Sequence, residues 1–185
     1  MTNDLPQEPL AAPSGAGPEG VPTIHFKTIL VPVDFSGFSL NSLACAVGFA
    51  RQFGARLLVL HVVEIPFVGS GYGEIELPPM PGDLAAVAVE RLGQLVQASV
   101  GDRVPAATAV RLGQPWFEIT EAAREGGADL IILGTHGYTG MKHILMGSTA
   151  ERVVRHAACA VLVMRQREGE SAEASPPAPA AGPVA

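Results

Sequence analysis

From Lys27 onward the chain alternates between short apolar runs and stretches whose apolar residues recur at helical spacing. The runs "KTILVPV" (27–33), "ARLLVLHVV" (55–63), "VPAATAVRL" (104–112), "ADLIILG" (128–134) and "CAVLVMR" (159–165) predict five strands. Between them, "SLNSLACAVGFARQFG" predicts a helix that ends at Gly54, and "DLAAVAVERLGQLVQASV" (83–100) predicts a second. "QPWFEITEAAREGG" carries Pro115 in a first-turn position and a glycine pair at its close, and "STAERVVRHA" supplies the last helix. Strands alternating with helices imply an α/β fold: a parallel sheet with helices on both faces. The strands read as continuous apolar runs, as parallel strands covered on both faces do. In such sheets ligands bind beyond the carboxyl ends of the strands, where strand order reverses. The residues that follow strands one, two and four therefore matter most.

Composition changes the picture at the two ends. Residues 1–24 and 167–185 are rich in Pro, Ala, Gly, Ser and Glu and almost free of large apolar side chains. Such segments cannot bury enough surface to offset ordering, which predicts disordered tails around one domain over 25–166. The remaining bulk properties mainly exclude. A formal net charge of -6 and a pI near 5.3 argue against general affinity for nucleic acid or an anionic membrane. Any phosphate ligand must then be held by local groups. The first residues have neither a basic nor an apolar signal region, and no apolar run is long enough to span a bilayer. Cys45 and Cys159 form no CxxC or zinc spacing and read as buried thiols of a reducing cytoplasm.

After strand one, "VPVDFSGFS" places Pro32, Val33 and Asp34 at the mouth of the sheet. Asp34 can accept a hydrogen bond from the exocyclic amine of a base. It can equally make an Asx turn or cap the next helix. After strand two, His61 and Val62 reach the mouth, His61 reading as a satisfied core residue. The long loop that follows, "IPFVGSGYGEIELPPMPG", holds only a weak glycine cluster. After strand four comes "GTHGYTGMKHILMGST" (134–149). Ser148 stands three residues before Glu151, the spacing of a capping box. A helix start also leaves free N–H groups and a positive dipole end, which suit phosphate. Gly147 just ahead admits phosphate without a Cβ in the way. Gly134 and Gly137 would do the same on the neighbouring loop. The spacing therefore predicts two walls of one nucleotide site. There is no Walker A loop, and no GxGxxG follows strand one.

Gly134, Gly137 and Gly147-Ser148 together spell Gly-x2-Gly-x9-Gly-Ser, and with "ILVPVDFS" and "ERVVRHAACAVLVMR" the chain resembles the universal stress protein family in its ATP-binding branch. The resemblance spans about residues 25–166. It implies a five-stranded sheet of order 3-2-1-4-5, Rossmann-like, and a homodimer. The roles it implies are specific: Pro32, Val33 and Asp34 near adenine, Val62 against the base, and Leu133 and Gly134 near ribose. Gly137, Gly147, Ser148 and Thr149 would line a triphosphate, with a divalent metal such as Mg²⁺ bridging its oxygens. His136 reads as a hydrogen-bonding wall of that site. As the last strand, "AVLVM" is expected at a sheet edge, where Val161 and Val163 would meet a second copy. The expectation is a cytoplasmic ATP-binding regulatory protein without catalytic residues. The alternatives are a slow ATP hydrolase or nucleotidyl transferase, with His136 as the one candidate base, and a partner-binding module with a vestigial site.

Overall fold

A computed structural model describes residues 24–64, 81–135 and 146–165. The elements run β1 (Thr28–Pro32), α1 (Gly37–Phe53), β2 (Arg56–Val63), α2 (Pro81–Ser99), a short 3-10 turn, β3 (Ala106–Leu112), α3 (Pro115–Glu125), β4 (Leu130–Gly134), α4 (Ser148–His156) and β5 (Ala160–Met164). The five strands form one parallel sheet in the order β3-β2-β1-β4-β5. All five expected strands and four expected helices are present. The tails and most of the long loop after β2 lie outside the described residues. Among those described, no helix is long and apolar enough to cross a membrane.

Alternation along each strand divides the core in two. Ile29 and Val31 of β1 and Val33 just after it, with Leu130 and Ile132 of β4, pack under α1 and α2. Leu30, with Ile131 and Leu133 of β4, packs under α3 and α4 beside Ile119, Ala150 and Val153. Ile29, Leu30 and Ile131 are fully buried. Burial of each such side chain is worth about 1.5–3 kcal/mol. The central strands thus fit the continuous apolar runs of the sequence, but β3 does not. Its first three residues are exposed, because it is an edge strand whose packing is chiefly against α2.

Helix boundaries follow from local chemistry. α1 starts two residues earlier than its apolar spacing suggests, because the Ser36 hydroxyl caps it by accepting from the Ser39 N–H. It ends at Gly54, whose left-handed φ of 66° lets its N–H reach back to the Ala50 carbonyl. α3 begins on Pro115, where a missing N–H costs nothing. Cys45 and Cys159 are half-buried rather than buried, and desolvation pushes both thiols up from their ordinary value.

The amino ends of the strands are bound by polar bonds. The Asp129 carboxylate accepts from the backbone N–H groups of Lys27 and Thr28, at 2.7 and 2.9 Å. Those two bonds, Thr28 first, hold its pKa below the ordinary carboxylate value. Arg56 adds a bond from Nε to the Thr28 hydroxyl.

Candidate functional site

At the carboxyl ends, β1 and β2 are tied together just past their ladder. The Val33 N–H donates to the Leu60 carbonyl at 2.8 Å, and the Val33 carbonyl accepts from His61 Nδ1 at 2.8 Å. A carbonyl can only accept, so the His61 proton sits on Nδ1. His61 is satisfied by the backbone, as expected of a histidine in an apolar strand. Asp34 makes the Asx turn: its Oδ1 accepts from the Ser36 N–H at 3.0 Å and the Ser36 hydroxyl at 2.5 Å. Ser36, not Asp34, then caps α1.

Between them stands Phe35, a residue with no role in the sequence reading. Its φ is 63°, the one positive value at a non-glycine position among the described residues. Such a conformation costs an L-residue roughly 1–2 kcal/mol. The ring is held on the α1/α2 side of the sheet, 4.6 Å from the His61 ring, with the Arg91 guanidinium 4.1 Å above it.

The far wall is built from β4 and α4. The Thr135 N–H donates to the Met164 carbonyl at 2.9 Å, and the Thr135 carbonyl accepts from the Gly147 N–H at 2.7 Å. The second bond holds the residue after Gly134, at the end of β4, against the start of α4. His136 and Gly137 lie outside the described residues.

One expectation fails here. Gly147, not Ser148, is the N-cap of α4, and no side chain caps the helix. The first intrahelical bond runs from the Glu151 N–H to the Gly147 carbonyl at 3.0 Å. Ser148 and Glu151 are therefore one position out of register for a capping box. Glu151 instead pairs with Arg155 at 2.8 Å, one helical turn on. Gly147 itself has φ -69° and ψ 153°, a conformation open to any residue. Backbone freedom is not what a glycine supplies at this position. What remains is the missing Cβ.

A cleft of about 130 Å³ opens beside this wall, lined by Glu64, Gln114, Pro115, Trp116, Ser148, Thr149 and Arg152. It lies on the α3/α4 side, where Val62, Leu133 and Trp116 belong to the same apolar cluster. Leu133 is 4% exposed and Val33 3%. Either can meet a ligand only through its backbone. Gln114, Trp116 and Arg152 were not singled out from the sequence. The signals were there: Arg152 is one helical turn from Ser148, and Pro115 marks a helix start at the carboxyl end of β3. The Arg152 guanidinium stands 5.9 Å over the Trp116 ring, whose Nε1–H donates to Gln114 Oε1 at 3.1 Å. Among the described residues Arg152 has no ion-pair partner.

The described residues hold no group of three His, Cys, Asp or Glu side chains that could bind a metal. The side-chain oxygens that line the cleft are those of Glu64, Gln114, Ser148 and Thr149.

Comparison with known proteins gives a consistent outcome. The model of the universal stress protein family matches residues 25–165. Universal stress protein MJ0531 of Methanocaldococcus jannaschii is 36% identical over 151 residues, 78% of this chain and 85% of its own. Among solved structures, the protein MJ0577 superposes with a TM-score of 0.67 at 26% identity, over 78% of this chain and 99% of that one. A universal stress protein in complex with cAMP superposes at 0.55 over 77% and 98%, and at 22% identity it shares the fold alone.

Proposed function

Because the chain belongs to the universal stress protein family, we propose that it is an ATP-binding regulatory protein that answers nucleotide through its conformation and does not turn it over. The observation that carries this is the Gly147–Thr135 hydrogen bond. It sets an uncapped helix start beside the end of β4, with Arg152 in the adjoining cleft. First-turn N–H groups and the Arg152 guanidinium, which has no ion-pair partner among the described residues, offset a net charge of -6 that would otherwise repel a triphosphate. Phosphates belong on the α4 side of the cleft. Glu64, across from it, would repel them and suits sugar hydroxyls as an acceptor. Asp34 and Val62 then frame the base, and Mg²⁺ would supply charge neutralisation between phosphates.

Nucleotide extracted from the purified protein and identified by mass spectrometry should be ATP, and isothermal titration should give saturable ATP binding. Protein that carries no nucleotide and shows no heat with ATP would sink the proposal. The same reading includes a homodimer through β5, an edge strand without charge or proline over Ala160–Met164. Val163→Lys should shift the sedimenting species from dimer to monomer. An unchanged dimer would put the interface elsewhere.

A further inference from the structure

Three features at the carboxyl end of β1 and β2 have one physical explanation. Phe35 holds a left-handed backbone that its side chain disfavours. Its ring lies against His61, which is itself fixed to the Val33 carbonyl, and under the Arg91 guanidinium of α2. Phe35 is also the middle residue of the Asx turn that fixes the Asp34 carboxylate. If Phe35 relaxed to an ordinary φ, Ser36 would move off Oδ1 and the carboxylate would lose that anchor. Strain of this kind persists only where surrounding contacts over-determine it. Here those contacts are His61 from below and Arg91 from above.

We infer that Arg91 is a positioning residue for the base end of the nucleotide site: by clamping Phe35 in the left-handed region it aims Asp34 at the 6-amino group of adenine. The inference rests on the nucleotide proposal above. It goes further by assigning base selectivity to a side chain on α2, an element that does not line the cleft. The phosphate end lies on the other side of the sheet, so loss of the clamp should leave phosphate binding alone.

The test compares ATP with purine riboside 5′-triphosphate, which lacks only the 6-amino group. Wild-type protein should favour ATP by about tenfold, the weight of one charge-assisted hydrogen bond. Arg91→Ala should cut that ratio by about two- to fivefold, the scale of an exposed cation–π contact. Its affinity for the riboside should stay within about twofold of wild type. Arg91→Lys, which keeps a cation over the ring, should retain most of the selectivity. In a Phe35→Gly background there is no ring to clamp, and adding Arg91→Ala should then leave the ratio unchanged. Without any ligand, exchange of the Ser36 amide proton should quicken by about two- to fivefold in Arg91→Ala. An unchanged ratio, an unchanged Ser36 exchange rate, or an equal weakening of both nucleotides with a lowered Tm would each overturn the inference. An unchanged ratio in protein that binds both nucleotides overturns this inference alone. Wild-type protein that binds neither overturns the nucleotide proposal with it.

Discussion

The mouth of the sheet has two sides, and they are built differently. On the α1/α2 side the described side chains pack closely: Phe35 lies against His61 and under Arg91, and Val33 is buried. On the α3/α4 side a cleft is left open between Trp116 and the first turn of α4. Both sides belong to the same strands and are separated only by the alternation of side chains along them. The filled side holds a strained loop in place; on the open side Arg152 has no ion-pair partner among the described residues. Substitutions on the first should therefore cost stability, and substitutions on the second should cost ligand affinity.

The largest expected effect falls on the open side. Gly147→Val puts a side chain where phosphate would approach, and removing one or two charge-assisted hydrogen bonds lowers ATP affinity on the order of tenfold to a thousandfold. AMP, without the outer phosphates, should lose much less. The backbone there suits any residue, so the stability cost should stay near about 1 kcal/mol, that of a poorer N-cap. Equal losses for AMP and ATP in titration calorimetry would show that the two sides do not divide the work in this way.

On the filled side, Phe35→Val should destabilise by about 3 kcal/mol. That sum combines the lost ring contacts with the left-handed penalty of a β-branched residue. Phe35→Gly loses the contacts but not the backbone conformation, and should melt later than the valine variant. Chemical denaturation with the reverse order would mean that φ at this position carries no strain.

Asp129 provides a control at the far end of the strands. Its folded pKa is depressed by the Thr28 and Lys27 N–H groups. Its contribution is thus whole above the unfolded carboxylate value of about 3.9 and is lost as pH falls through the folded value. Asp129→Asn should flatten the acid limb of a stability-against-pH curve, cost about 1 kcal/mol or less at neutral pH, and leave ATP affinity unchanged. Changed affinity would mean that the two ends of the strands are coupled.

The smallest effect should come from Ser148→Ala. A capping serine would cost about 1 kcal/mol on removal, but Ser148 makes no cap bond. Its loss should leave the thermal midpoint nearly where it was. A fall of several degrees would restore the capping role.

The fold was legible because each strand and helix announces itself through period, and because Gly54 and Pro115 punctuate where their backbone chemistry requires. The open side was half legible: the glycine spacing pointed to the end of β4 and the start of α4, and a hydrogen bond joins Thr135 to Gly147 there. The capping box misled because Ser-x-x-Glu spacing is satisfied equally by a helix that starts one residue earlier. Phe35 could not have been found, since nothing in "VDFSG" tells a left-handed phenylalanine from an extended one. Its conformation comes from His61 and Arg91, neighbours distant in sequence.

The bond between the Gly147 N–H and the Thr135 carbonyl also acts as a clasp on the chain between them. Once the two ends of a segment are pinned, the entropy of closing it rises only with the logarithm of its length, about 0.6 kcal/mol for each doubling. The separation of the two walls is therefore decided by the clasp and not by how much chain lies in between. The clasp thus fixes where α4 starts relative to the end of β4.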